Sequence, residues 1–144
     1  MTRYVLDTNQ IVAAGSAWID VGAPVPDPVA SRRLLLHVAE AETGLYCGKI
    51  AGEYLEKLLD RGHPPDRALR LVQYILGAFE RVEVVTPTPP HMPSDPDDEI
   101  FVLCAIDGGA HYLISDDSDL LALRGHYEKP LICKAHEEAR RLGI

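Results

Sequence analysis

The stretch DPDDEIFVLCAIDGGAHYLISDDSD, residues 95–119, contains two apolar runs bounded by acidic residues. The run 100–106 has the length of a buried helix, and the run 112–114 has that of a buried strand. Eight residues of the stretch are acidic and none is Lys or Arg. The carboxylates therefore lie at the ends of core elements, where like charges repel one another strongly. Such an arrangement is typical of a site that binds a cation or shares a proton.

The charge of the remaining chain is balanced. The formal net charge of the 144 residues is −8, and the eight acids of the stretch account for all of this excess. The balance argues against tight non-specific binding to nucleic acid, although it leaves room for a local basic patch. A chain of this length fits one domain, which we place at residues 1–144.

The three cysteines, Cys47, Cys104 and Cys133, are far apart and odd in number. Their spacing supports neither a disulfide framework nor a zinc site, so a reducing cytoplasm is the compartment we predict. No apolar run approaches the roughly 18 residues that a membrane span requires. We therefore expect neither a membrane anchor nor a signal peptide.

Short apolar strands alternate with amphipathic helices along the chain. The patterns predict strands at 3–6, 45–47, 82–85, 111–115 and 131–133. They predict helices at 11–14, from 27 to about 44, through 50–59, at 66–80, from about 95 to 108, at 119–124 and at the C-terminus. The segments 15–26 and 86–96, which are rich in Pro or Gly, read as a loop and a rigid connector. This alternation predicts a parallel sheet with helices on both sides.

Four carboxylates can converge at one edge of that sheet. Ligands of open α/β sheets bind beyond the carboxyl ends of the strands, and Asp7 and Asp117 follow two predicted strands. Asp98 lies in the first turn of the helix that leads into the second of these strands. Glu53 lies early in the helix that leaves strand 45–47. Mg²⁺ and Mn²⁺ prefer such hard oxygen ligands and lower the pKa of a bound water, which can then act as a nucleophile.

Four sequence motifs, taken together, resemble the PIN-domain family: VLDTN at 5–9, GEYLEKL at 52–58, DDEIF at 97–101 and LISDDSDLL at 113–121. The resemblance covers most of residues 1–123 and implies a three-layer α/β/α fold with a central parallel sheet. It implies a divalent-metal-dependent endoribonuclease that cleaves single-stranded RNA, as do VapC-like toxins of prokaryotic toxin–antitoxin modules. In this chain, Gly48 and Lys49 stand where many members of the family have a small hydroxyl residue, and Lys49 could reach a phosphate.

The resemblance also implies roles for particular residues. The catalytic, metal-binding quartet would be Asp7, Glu53, Asp98 and Asp117. Asp119 would be a further metal ligand, and Thr8, Asn9 and Ser115 would be accessory polar groups. The implied cofactor is Mg²⁺ or Mn²⁺. The implied partners are an antitoxin protein and a second copy of the chain, with the helices at 28–43 and 64–80 as possible dimer surfaces.

Residue spacing alone leaves some assignments open. Three pairs of acids compete for a role: Glu53 with Glu56, Asp98 with Asp97, and Asp117 with Asp119. Each acid also has a structural explanation as a helix cap, a turn residue or part of a solvated helix face. For the hydroxyls of Thr8 and Ser115, the satisfaction of local backbone groups alone is an equally good explanation.

Two other functions compete with a nuclease. A haloacid-dehalogenase-like phosphatase also has an Asp after its first strand, but it needs a second Asp two residues later, and position 9 is Asn. The other alternative is a catalytically inactive PIN-like module that only binds RNA or protein. Measured Mn²⁺ binding separates this module from the nuclease.

Overall fold

A computed structural model of the protein describes residues 1–18 and 24–144. Its strands are β1 (Arg3–Leu6), β2 (Thr43–Tyr46), β3 (Glu80–Arg81), β4 (Tyr112–Ile114) and β5 (Leu131–Cys133). Its α-helices are α1 (Thr8–Ser16), α2 (Pro28–Ala41), α3 (Gly48–Asp60), α4 (Pro65–Ala78), α5 (Glu99–Asp107), α6 (Ser118–Leu121) and α7 (Ala135–Leu142). A short 3₁₀ helix, Pro96–Asp98, leads directly into α5.

The five strands form one parallel sheet in the order β3-β2-β1-β4-β5. The connections that lead from β1 to β2 and on to β3 move towards one edge, and those from β3 to β4 and on to β5 move the opposite way. Right-handed crossovers therefore place α1 to α4 on one face of the sheet and α5 on the other. Consistent with this, α1 packs against α2 and α3, whereas α5 packs across β1, β2 and β4. The prediction of a parallel sheet flanked by helices is confirmed.

The most deeply buried strand is β1, at the centre of the sheet. Tyr4, Val5 and Leu6 are almost fully excluded from solvent, as expected for a strand that is covered on both faces. The hydroxyl of Tyr54 on α3 donates a hydrogen bond of 2.5 Å to the Leu6 carbonyl. This bond fixes α3 to the end of β1, one residue before Asp7.

The apolar composition of α5 explains its position. Its residues from Ile100 to Ala105 are all buried, so the helix has no polar face along this segment. A helix that is apolar all round must be enclosed, and α5 fills the space over the middle of the sheet. The acids before and after this apolar segment are thereby held at the two ends of a rigid, buried element.

The strand predicted at 82–85 is wrong, because β3 comprises only Glu80–Arg81. The helix predicted at 66–80 ends at Ala78, and the chain becomes extended at Phe79. Beyond Val82, the backbone N–H groups of Val85 and Thr86 donate to the carboxylate of Asp107 instead of to a neighbouring strand. The alternation of apolar residues at 82–85 is typical of a strand, but the Asp107 side chain accepts the backbone hydrogen bonds that a neighbouring strand would accept.

The ends of the other predicted helices and strands differ from the observed ends by at most a few residues. The brief helix expected at 11–14 is the longer α1, whose N-cap is Asp7. Part of the loop predicted at 15–26 falls at residues 19–23, which lie outside the described residues. Across the described segments, no helix is both long enough and apolar enough to cross a lipid bilayer.

We predict that Gly44→Ala destabilises the protein by about 1–3 kcal/mol, because overpacking a core has costs of this order. A Cβ atom at Gly44 would lie 2.6 Å from carbons of the Phe79 ring. The matched control is Gly77→Ala in α4, where a Cβ meets no described atom within 4 Å. Alanine is about 1 kcal/mol better than glycine inside a helix, so this control should be stabilising. Chemical denaturation of both variants measures the difference, and equal effects would contradict the packing explanation.

Candidate metal centre

Asp7 and Ser115 lie side by side where β1 and β4 end. Leu6 pairs with Ile114 in the parallel register, and Asp7 and Ser115 are the next residues of the two strands. The strand order reverses between β1 and β4, which is the position where open α/β sheets bind ligands. Asp7 and Ser115 therefore lie at the crevice that forms where the strand order reverses.

The Asp7 carboxylate is held by two hydrogen-bond donors. The buried Ser115 hydroxyl donates to Asp7 Oδ2 at 2.6 Å, and the Asn9 backbone N–H donates to Oδ1 at 3.3 Å. Ser115 Oγ in turn accepts a bond of 2.9 Å from the Asp117 backbone N–H. One hydroxyl thus links the acid after β1 to the acid after β4.

Asp117 is the N-cap of α6. Its Oδ1 accepts a bond of 2.9 Å from the Asp119 backbone N–H, which orients the first turn of this short helix. Both acids are half-buried. Asp119 therefore projects from a turn whose geometry Asp117 fixes.

Among the described residues, three carboxylates lie close enough together to hold a metal ion. Asp95, Asp98 and Asp119, here called the acidic triad, each offer a ligand atom that lies within 4.8 Å of those of the other two. Asp98 ends the 3₁₀ helix and is only 7% exposed, whereas its neighbour Asp97 is exposed. The structure thus favours Asp98 over Asp97 as the site residue.

Glu53 approaches the site from α3. It is half-buried, whereas its competitor Glu56 is exposed. Glu53 lines a cleft of about 470 Å³ together with Lys49, Gly52, Glu56, Lys57 and Asp97. Lys49 and Lys57 therefore lie in the same cleft as Glu53.

Burial and mutual repulsion raise the pKa values of the central carboxylates. Burial raises the pKa of Asp98 to about 8, and the charges of Asp117, Asp7 and Asp95 add to the effect. Burial also raises the pKa of Asp7 to about 6, although the hydrogen bonds from Ser115 and Asn9 oppose this increase. The metal-free site therefore retains protons close to neutral pH.

Glu53 follows the same trend as the central acids. Burial raises the pKa of Glu53, the Thr8 side chain opposes the increase, and Asp97 adds to it. Thr8 is itself buried beside Asp7 at the start of α1. In the described part of the chain the buried Thr8 Oγ1 makes no hydrogen bond, so Thr8 and Glu53 are close neighbours across α1 and α3 without a hydrogen bond between them.

The residues present fit a hard divalent cation. The buried Oδ2 of Asp98 has no hydrogen-bond partner among the residues that the structure describes. An unsatisfied buried carboxylate oxygen is costly unless a cation or a proton compensates it. The surrounding donors are carboxylate oxygens, which Mg²⁺ and Mn²⁺ prefer to the softer ligands of zinc or copper sites.

The structure brings the predicted residues together in two linked groups. One group joins Asp7, Asn9, Ser115 and Asp117 by hydrogen bonds. The other is the acidic triad, which contains Asp98 and Asp119 but neither Asp7, Glu53 nor Asp117. The two groups adjoin, since the charges of Asp117 and Asp7 act directly on Asp98.

Sequence reasoning did not select Asp95 as a site residue. Asp95 is the N-cap of the 3₁₀ helix, and its carboxylate accepts a bond of 2.9 Å from the Asp97 backbone N–H. The available signal was the spacing of Asp95 and Asp98, since residues three apart lie on the same side of a helical turn. The capping role explained the presence of Asp95 in the sequence, so its closeness to the carboxylates of Asp98 and Asp119 was not predicted.

We predict that the metal-free protein becomes less stable as pH rises from about 4 to about 8. The folded pKa of Asp98 is about 8, whereas an unfolded Asp titrates near 3.9, so in this window the folded state holds a proton that the unfolded state releases. Thermal melting in chelator across this range measures the trend. Asp98→Asn should flatten it, whereas Asp60→Asn at the exposed end of α3 should not. A wild-type slope in Asp98→Asn would contradict the assignment.

Comparisons with known proteins agree with this fold. A family model described as PIN domain matches residues 3–119. The chain also resembles a chain in the crystal structure of VapBC2 from Rickettsia felis bound to a DNA fragment from their promoter. The two are 14% identical with a TM-score of 0.59, and the match covers 92% of this chain and 97% of the other. No curated protein matches the sequence significantly. Because the family model spans most of its length, the chain belongs to the PIN-domain family.

Proposed function

We propose that the protein is a divalent-metal-dependent endoribonuclease that cleaves single-stranded RNA. Membership of the PIN-domain family, whose members are nucleases, supports this proposal. The observation that carries it is the buried Asp98 carboxylate, whose Oδ2 lacks a hydrogen-bond partner in the described part of the chain. A buried carboxylate oxygen without a hydrogen-bond partner is available to bind a cation at the edge of the sheet.

The residues that would hold the cation are Asp98 and Asp119, with Asp7 and Asp117 beside them. When bound, Mg²⁺ or Mn²⁺ would supply a water of lowered pKa and offset the charge of the scissile phosphate. Ser115 would keep the Asp7 carboxylate oriented through the bond to Oδ2. Such supporting hydrogen bonds orient the groups that contact a metal.

Glu53 is suited to accept a proton during hydrolysis. It is half-buried, it lines the cleft, and burial raises its pKa above the ordinary value of a glutamate, which makes it a stronger base. The Thr8 side chain on the neighbouring α1 opposes that increase. Glu53 would therefore act beside the cation-binding carboxylates from the α3 side.

The cleft beside Glu53 offers a path for the RNA strand. Lys49 and Lys57 are exposed at its border and can pair with phosphate oxygens. Arg33 on α2 stays a prediction as a phosphate contact, since it lines a separate cavity with His136 and Arg140. Since the formal net charge of the protein is −8, binding should be weak and should weaken further with added salt.

We further propose that the protein is the toxin of a toxin–antitoxin pair and acts in the cytoplasm. The fold likeness to a chain of the VapBC2 complex, which was crystallised with promoter DNA, supports an antitoxin partner. Self-association through α2 and α4 also remains a prediction. Exposed Leu69, Tyr74 and Leu76 on α4 provide apolar area for such a contact.

We predict that the wild-type protein cleaves single-stranded RNA with Mn²⁺ and that Asp98→Asn lowers the rate by at least about 100-fold, as expected when a preorganised charge in a catalytic site is removed. Asp60→Asn, an exposed charge-matched change, should cleave at the wild-type rate. The readout is the cleavage of a labelled RNA, with circular dichroism to confirm that each variant is folded.

Two outcomes would contradict this function. Cleavage by Asp98→Asn at the wild-type rate would remove the proposed mechanism. A wild-type protein that binds RNA without cleaving it in Mn²⁺ or Mg²⁺ would instead identify a catalytically inactive binding module.

A further inference from the structure

Asp95 has a fixed position beside Asp98. The Asp98 backbone N–H donates to the Asp95 carbonyl at 3.1 Å, and the Asp97 backbone N–H donates to Asp95 Oδ1 at 2.9 Å. These two bonds close the turn before α5 and hold the Asp95 side chain on the same side as that of Asp98. The carboxylate of Asp95 is consequently preorganised, although it is only half-buried.

The cap requires only one of the two carboxylate oxygens of Asp95. Oδ1 accepts the bond from Asp97, and no hydrogen bond or ion pair engages Oδ2 within the segments that the structure describes. The carboxylate of Asp119 likewise makes no hydrogen bond or ion pair within those segments, although its backbone N–H is held by Asp117. Both acids therefore have free oxygen lone pairs next to Asp98.

The Asp98 side chain provides a separate indication that a ligand binds here. This side chain is 7% exposed, and its Oδ2 is buried without a partner among the described residues. The groups close to the Asp98 carboxylate are other carboxylates, those of Asp95, Asp119 and Asp117, which cannot donate a hydrogen bond when charged. A cation would satisfy all three carboxylates of the acidic triad, whereas a structural cap leaves Asp98 unsatisfied.

We propose that Asp95 is a metal ligand and that it completes, with Asp98 and Asp119, a position for a divalent cation. This inference rests on the proposed metal dependence of the same site and adds a ligand to it. Around Mg²⁺ at about 2.1 Å, cis oxygens lie about 3.0 Å apart and trans oxygens about 4.2 Å apart, so a bound cation would draw the three carboxylates together from separations of up to 4.8 Å. Three carboxylates leave about three of the six octahedral positions for water and phosphate oxygens.

The substitution Asp95→Asn separates the ligand role from the capping role. Asparagine caps helical turns about as well as aspartate, so the turn before α5 should persist. The charge and the strong metal affinity of a carboxylate are lost. Asp97→Asn is the matched control, because Asp97 is an exposed acid of the same turn that lies outside the acidic triad.

Titration calorimetry of the full chain with Mn²⁺ alone tests the proposal. We expect Asp95→Asn to raise the Kd about tenfold or more, within the range for metal sites that lose a supporting or coordinating group. Asp97→Asn should change the Kd by less than about threefold, because an exposed charge acts weakly across water. Circular dichroism and melting in chelator should show that both variants retain the wild-type fold.

A wild-type Kd in Asp95→Asn would overturn the proposal. So would equal weakening by Asp95→Asn and Asp97→Asn, because it would indicate only a general effect of charge. The nuclease proposal is decided by a different measurement, the cleavage of RNA by the wild-type protein. A protein that binds Mn²⁺ through Asp95 but does not cleave RNA would retain this site and lose the proposed activity.

Discussion

The parallel pairing of β1 with β4 is the constraint on which the candidate site depends. Its register places Leu6 opposite Ile114, and the next residues, Asp7 and Ser115, are therefore neighbours joined by a hydrogen bond of 2.6 Å. A shift by one residue would point Asp7 to the opposite face of the sheet. The order of the strands reverses at this pair, so the same register also opens the crevice that receives the other acids.

The acids that meet at this edge oppose folding of the metal-free chain. Burial and neighbouring charges raise the pKa of Asp98 to about 8, which means that its ionised form is destabilised in the fold. The apolar segment of α5 and the buried β1 hold the carboxylates together against this repulsion. A bound cation would replace the repulsion between these carboxylates by their attraction to the ion. The stability of the fold and its function would then depend on the same charges.

The sequence predicted the features that follow from periodicity and strand ends. The position of Asp7 and Asp117 at one edge of the sheet was predictable because each follows a short apolar strand, and the enclosed position of α5 was predictable from its uninterrupted apolar run. The strand at 82–85 was misassigned because alternation cannot reveal that Asp107 takes the backbone hydrogen bonds of Val85 and Thr86. The acidic triad was not predictable as a group, since it requires the 3₁₀ turn before α5 to meet the first turn of α6.

Metal-induced stabilisation tests most directly whether these carboxylates form a divalent-cation site. Melting of the wild type and of Asp98→Asn should be compared in chelator and in Mn²⁺ at a hundred times the wild-type Kd. At that concentration binding stabilises the folded state by about 2.7 kcal/mol, which corresponds to a rise of roughly 5–10 °C in Tm for a domain of this size. We expect this rise in the wild type and little or none in Asp98→Asn. Equal shifts in the two proteins would show that the acids at this edge do not hold the cation.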